Sequence, residues 1–288
     1  MTKMTEAELM QLLAAITPPD ETARAAAHTH WASLAKPLGG LGALETLLED
    51  AAALTGTAQF DFSRRAVAVL CADNGVVAQG ISQTDQSVTR AVAENLAARR
   101  TSVCRMAQAA HCDVLPVDLG IAGAPVPGVR DCRIAAGTAD FTKGPAMTRA
   151  EAVEAIGRGI ALTRQLAAEG YGLVATGEMG IGNTTTSSAV LCALTGAAVA
   201  DVTGRGAGCD GWRMFPAAAA AISLRNCLSV KSFAKGIPCT LSSCDHAEAA
   251  SCFKYAASPC GSSSSMSVPI IDKMRRRISS CAVTALHS

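Results

Sequence analysis

The sequence predicts an α/β fold, an open and mostly parallel sheet with flanking helices. Three observations carry this reading. Short strand-like runs at Ala66–Leu70, Val114–Leu119 and Leu173–Thr176 are bounded by turn residues and separated by helical windows, the pattern of strands buried on both faces. Hydrophobic residues make up 49% of the 288 residues and aromatics only 3%, which suits an interior of Ala and Val at close helix–sheet contacts. The third run leads into Gly177-Glu178-Met179-Gly180-Ile181-Gly182-Asn183-Thr184-Thr185 and then a helix-like run from Thr186 to Leu194. Strand, glycine turn, helix is the arrangement that points backbone N–H groups at an anion. Gly180 and Gly182 would let the backbone approach a ligand closely, and Thr184 and Thr185 supply hydroxyls and a helix cap. The other reading is an ordinary βα turn with glycines for tight packing. The local pattern does not separate the two.

Along the chain, Glu6–Ala15 reads as a short amphipathic helix stopped by Thr17-Pro18-Pro19-Asp20. Asp20 is an N-cap candidate for a second helix, Glu21–Leu34. Pro37 and three glycines make Leu34–Gly42 an irregular loop, and Ala43–Leu54 restarts a helix. Lys36 in that loop is either a solvated charge or an anion contact. The first strand, Arg65–Ala72, ends in Asp73-Asn74-Gly75, and a polar loop continues through Gly80, Ser82, Gln83, Thr84 and Asp85. Polar residues past a strand's C-terminal end lie where open α/β sheets bind ligands, although Asp, Asn and Gly also build turns for backbone reasons. Helices are expected at Val88–Arg99 and Ser102–Ala110, a strand at Val114–Leu119, and another short strand at Arg130–Ala136. Thr138–Pro145 reads as a loop. Thr148-Arg149-Ala150-Glu151 is a capping box opening a helix to Ala168, with Ala152, Ile156, Ile160 and Leu166 near one face. A second glycine loop follows at Asp201–Asp210; its Arg205 suits a second contact to the same phosphate, and the other reading is a plain loop, since glycine loops are common.

The net charge is +1, so nothing demands nucleic acid or an anionic membrane as partner. No run of 18 apolar residues suggests a transmembrane helix. Met1–Leu13 carries acids and no continuous apolar stretch, unlike a secretory leader, so a cytoplasmic protein is expected. The 12 cysteines form no CxxC pair, which supports neither zinc nor a redox motif, and they read as reduced thiols. No G-x-G-x-x-G follows the first strand with an acid about 20 residues on, which argues against a dinucleotide oxidoreductase.

Composition breaks after Asp210. Residues 1–210 hold 7 serines, 21 acids and 16 Lys/Arg, whereas residues 211–288 hold 15 serines, 3 acids and 9 Lys/Arg, so net charge swings from −5 to +6. A basic interaction tail, a small separate module and a reading-frame change in the gene compete as explanations. Loss of acids with gain of Ser, Cys and Arg fits a frame change best. The expected organisation is 1–55 helical, 56–210 a Rossmann-like nucleotide-binding core, and 211–288 a divergent tail that packs poorly.

Five segments, in order, resemble one family. Leu34-Ala35-Lys36-Pro37 with Gly39-Gly40-Leu41-Gly42 is similar to a "LAKPxGSLG" segment, with Gly40 in place of serine. Ala72-Asp73-Asn74-Gly75-Val76 and Gly80-Ile81-Ser82 are similar to "ADHGV…GVS", with Asn74 where histidine is common. Asp118-Leu119-Gly120-Ile121 is similar to "DxGI", Gly177–Thr185 contains "GEMGIGNTT" without mismatch, and Thr203–Gly208 resembles a "GRGTG" loop. On these motifs the first 210 residues are identified as resembling the nicotinate-nucleotide–dimethylbenzimidazole phosphoribosyltransferases.

The resemblance implies a six-stranded, largely parallel sheet with a smaller helical domain made from both chain ends, and a homodimer. It implies transfer of phosphoribose from nicotinate mononucleotide to 5,6-dimethylbenzimidazole, or a related base, for the lower ligand of cobalamin. No metal or organic cofactor is implied. Gly180, Gly182, Asn183 and Thr184 would cradle the nucleotide phosphate, with Gly206 and Gly208 opposite. Glu178 would lie near the ribose as an auxiliary catalytic group, and Thr84 and Asn74 would border the base. Thr84 stands where some members have a base-contacting serine, and Val92 where they have a glutamine, which weakens any strict preference for dimethylbenzimidazole. The family's general base is a glutamate in a C-terminal "GEGTGA" segment. The tail has no such segment: its one glutamate, Glu248, lies in Asp245-His246-Ala247-Glu248-Ala249. Ala217 occupies roughly the place of a phosphate-contacting lysine. The expected product is therefore a family member of impaired activity, or a non-catalytic binder of a phosphorylated nucleotide.

Overall fold

The computed structural model describes residues 3–204. Helices α1 (Glu6–Ala14), α2 (Glu21–Ser33) and α3 (Ala43–Thr55) precede β1 (Arg65–Ala72); α4 (Ser87–Ala97) and α5 (Ser102–Ala109) lead to β2 (Asp113–Gly120). The short β3 (Arg130–Asp131), α6 (Arg149–Ala168), β4 (Leu173–Met179), α7 (Asn183–Thr195) and α8 (Val199–Val202) complete the described chain. The sheet order is β3-β2-β1-β4, and every pairing is parallel. The described residues thus supply four strands of an open parallel sheet.

Alternation along β1 sends side chains to both faces. Val69 and Cys71 join Ala93, Leu96, Cys104 and Ala107 under α4 and α5. Ala66 and Ala68 join Val117, Leu162, Leu166 and Tyr171 under α6. With helices on both faces, β1 is apolar from Ala66 to Ala72, which is why its bounds could be read from the sequence.

Caps set the helix starts. Asp20 accepts the N–H groups of Thr22 and Ala23, and Thr148 forms the expected capping box with Glu151. At the N-terminal end, α2 packs along α3, with Arg24 bridging Glu21 and Asp50. Helix α1 docks on α6, where the Met4 N–H donates to buried Glu154 at 3.0 Å and Arg149 pairs with Glu6.

Four expectations are corrected. The strand expected over Arg130–Ala136 shrinks to two residues, because Asp131 Oδ1 takes the Arg133 N–H at 3.0 Å and bends the chain. The buried side of α6 is Val153, Glu154, Gly157, Leu162 and Leu166, so of the expected face only Leu166 is fully buried. Strand β4 runs on through Gly177, Glu178 and Met179, which pair with Val69, Leu70 and Cys71, so the first third of the glycine segment is strand. Helix α7 begins at Asn183 on an N-cap of Gly182, with no side-chain cap, so Thr184 and Thr185 lie inside its first turn and do not cap it. The expected poor packing of the tail concerns residues outside the described range.

Candidate functional site

The path of the chain locates the site. From β1 it crosses to β2 and β3 on one side, then returns to place β4 on the other side of β1. The crevice between the C-terminal ends of β1 and β4 is therefore the topological switch point, where open α/β sheets bind ligands. Asp73-Asn74-Gly75 comes from one lip and Gly180-Ile181-Gly182 from the other.

The two lips are locked together. Asn74 Nδ2 donates to the Ile181 carbonyl at 3.0 Å, and the Ile181 N–H donates to Thr89 Oγ1 at 3.1 Å. Asn74 Oδ1 lies 3.4 Å from Thr186 Oγ1, and the Asn74 carbonyl takes Gln86 Nε2 at 3.0 Å. Both ends of the Asn74 amide are thus engaged with the glycine turn and α7. The glycines are required by packing on the protein side. A Cβ at Gly180 would stand 2.2 Å from the Ala72 carbonyl oxygen, and one at Gly182, whose φ is +84°, 2.9 Å from Val77.

The turn leaves a donor surface. Asn183 N–H returns to the Gly180 carbonyl at 3.1 Å, and those of Thr185 and Thr186 to Gly182 at 3.1 and 3.2 Å. Among the described residues, no acceptor takes the N–H of Gly182 or Thr184. Both sit at the positive end of the 13-residue α7, a placement that favours an anion.

Glu178, at the end of β4, accepts a hydrogen bond from Asn183 Nδ2. Solvent reaches the Glu178 side chain, yet protein packed on its inner side strips away enough water to push its carboxyl above the ordinary carboxylate range. The Asn183 bond offsets this only in part.

Thr84 is exposed on the β1–α4 connection, and its N–H bonds to Ser82 Oγ at 3.3 Å. Val92 packs half-buried against the apolar cluster under α4. Lys36 is committed to structure: its Nζ pairs with Glu45 at 2.8 Å and lies 5.6 Å from the Trp31 ring centroid. Asp118 of the "DxGI" segment is buried and paired with Arg133. The second glycine loop is rooted beside α7, where Ser188 Oγ donates to the Val202 carbonyl at 3.0 Å. Arg205, Gly206, Gly208, Ala217 and Glu248 lie outside the described residues. Thr89 was not anticipated from the sequence. Its signal is a hydroxyl on the apolar face of α4, in register with Ala93 and Leu96. An open cleft of about 470 Å³ lined by Arg99, Arg105, His111 and Asp113 lies at the start of β2, at the opposite end of the sheet.

Comparison with known proteins identifies the family. The chain is 44% identical over 177 residues to the nicotinate-nucleotide–dimethylbenzimidazole phosphoribosyltransferase of Acetivibrio thermocellus, covering 61% of this chain and 50% of that one. It is 41% identical over 209 residues to that of Desulforamulus reducens, covering 72% and 60%. The crystal structure of the same-named protein from Thermus thermophilus superposes with a TM-score of 0.66 at 32% identity, covering 82% of this chain and 70% of that one. The chain thus spans 50 and 60% of the length of these two sequence relatives. The model of the phosphoribosyltransferase family matches residues 16–223, somewhat past the composition break at Asp210. The chain belongs to that phosphoribosyltransferase family.

Proposed function

We propose that this chain binds nicotinate mononucleotide at the β1–β4 switch point, and that it descends from enzymes transferring its phosphoribosyl group to 5,6-dimethylbenzimidazole or a related base. The products would be α-ribazole 5′-phosphate and nicotinate, in assembly of the cobalamin lower ligand. The observation that carries the reading is the pair of N–H groups, Gly182 and Thr184, that have no acceptor among the described residues, at the α7 N-terminus beside Glu178. In this reading Gly180, Gly182, Asn183 and Thr184 hold the phosphate, with Gly206 and Gly208 opposite. Glu178 lies at the ribose, Thr84 borders the base, and the enzyme is a homodimer.

The reaction forms a bond from a base nitrogen to the anomeric carbon as the bond to nicotinate breaks, with inversion. The electron pair leaves on the nicotinate nitrogen, and a carboxylate takes the benzimidazole N–H proton. A desolvated carboxylate with a raised pKa suits that task. Residues 211–288 contain one glutamate, Glu248, flanked by alanines. We infer that the proton-accepting group is missing and that turnover is impaired, since loss of a general base costs on the order of 10²–10⁴-fold.

Isothermal titration with nicotinate mononucleotide, run beside a nicotinate-release assay with dimethylbenzimidazole, tests both parts. Binding with little or no release is expected. Release at the rate of a full-length relative overturns the impairment, and absence of binding overturns the nucleotide site.

A further inference from the structure

We propose that Thr89 and Asn74 are positioning residues that set the direction of the phosphate-binding N–H groups by pinning two successive peptide planes of the glycine turn. The inference rests on the nucleotide site proposed above.

A trans peptide is planar, so its C=O and N–H point in opposite directions. Asn74 Nδ2 holds the Ile181 carbonyl at 3.0 Å. That carbonyl shares a plane with the Gly182 N–H, which is therefore directed away from Asn74. Thr89 Oγ1 holds the Ile181 N–H at 3.1 Å. That N–H shares a plane with the Gly180 carbonyl, which is therefore turned to receive the Asn183 N–H at 3.1 Å and start α7. One side chain orients a donor, and the other orients the carbonyl that anchors the helix supplying the second donor, Thr184.

The pinning has a physical purpose. Gly180 and Gly182 flank Ile181, and glycine tolerates both senses of φ, so these planes would otherwise rotate at little cost. Both clamping groups are sheltered from competing water: Thr89 is 0% exposed and Asn74 9%. They come from one connection, since Asn74 follows β1, Thr89 sits in the first turn of α4, and Gln86 ties the Asn74 carbonyl to the start of that helix. A donor surface fixed before binding loses less entropy when the ligand arrives.

The test compares nicotinate mononucleotide with its phosphate-free riboside by isothermal titration, on the full chain and on T89V, T89S, N74A and N74D. Thermal melting first establishes which variants fold, and near-isosteric N74D serves if T89V does not. We expect the wild type to prefer the phosphorylated ligand. T89V and the Asn74 variants should lose at least tenfold in affinity for it while riboside affinity stays within threefold, and T89S should stay near wild type. A general structural role would lower both affinities together, and that outcome overturns the proposal. If the folded variants hold the mononucleotide within threefold of wild type, the clamp is refuted and the nucleotide site stands. If the wild type does not discriminate the two ligands, the phosphate site fails and the clamp with it.

Discussion

Arg133 closes on Asp118 through one carboxylate oxygen: Nη2 donates to Oδ2 at 2.7 Å and Nε to the same atom at 3.2 Å. The other oxygen, Oδ1, accepts the Ile121 N–H at 2.8 Å. Asp118 lies near the end of β2 and is 2% exposed, so it fastens the loop after β2 to the sheet. Removing one partner of a buried pair leaves the other charge uncompensated, at a cost of about 3–5 kcal/mol. Here Arg133 keeps a bond to the Gly123 carbonyl and some solvent, so the lower end applies. Asp118→Asn is expected to lose about 3 kcal/mol in urea unfolding. Stability indistinguishable from wild type would show that the pair contributes nothing.

Gly180 is predicted to be intolerant of any side chain. The Cβ of alanine would meet the Ala72 carbonyl oxygen at 2.2 Å and Asn74 Nδ2 at 2.8 Å. The first contact is backbone, so relief requires the ends of β1 and β4 to part. Overpacking of this kind costs about 1–3 kcal/mol, and it should also displace the turn that carries the donors. Gly177 is the control, because its Cβ would lie 3.4 Å from Val69 Cγ2, an ordinary contact. Gly180→Ala should lower the melting temperature and abolish mononucleotide binding, whereas Gly177→Ala should do neither. Equal behaviour of the two would contradict the packing account.

The sequence was most legible where local and distant forces agree. Arg65–Ala72 has the expected bounds because an apolar run is framed by arginines and by Asp73-Asn74-Gly75, and no partner needs to be known. Gly177-Glu178-Met179 reads as turn locally, and only pairing with Val69–Cys71, over a hundred residues earlier, makes it strand. Arg130–Ala136 fails in the opposite direction, since Asp131 folds back on the chain despite strand-like neighbours. The Gly177–Thr185 motif and its place after a strand were both readable. The Thr89 clamp was not, because a hydroxyl on an apolar helix face signals burial without naming a partner 92 residues away.

Cys71 should be chemically silent in the folded chain. Its side chain is fully buried in β1. Burial, followed by the negative charges of Asp118 and Glu178, pushes its thiol up to about 11. At pH 8 only about a thousandth would be thiolate, the form that reacts, compared with about a quarter for a free cysteine. Iodoacetamide at pH 8, followed by peptide mass spectrometry, should leave Cys71 unlabelled in the native protein and label it fully in guanidinium. Rapid native labelling would mean that β1 is open to solvent.

Glu178 should make stability fall as pH rises. Burial raises its folded-state pKa above the ordinary 4.5, so the folded chain holds the proton more tightly than the unfolded chain. The stabilising contribution of the neutral carboxyl is complete below 4.5 and is lost as pH climbs through the folded-state value. Glu178→Gln imitates the neutral form and keeps an acceptor for Asn183 Nδ2. The variant should therefore melt higher than wild type at pH 7, and the gap should close on acidification to pH 4. A gap that stays constant between pH 4 and 7, or that reverses sign, would mean that Glu178 is not desolvated. The same substitution bears on the donor surface beside it: if a neutral group at 178 favours an anion at Gly182 and Thr184, Glu178→Gln should bind the mononucleotide at least as tightly as wild type at pH 8.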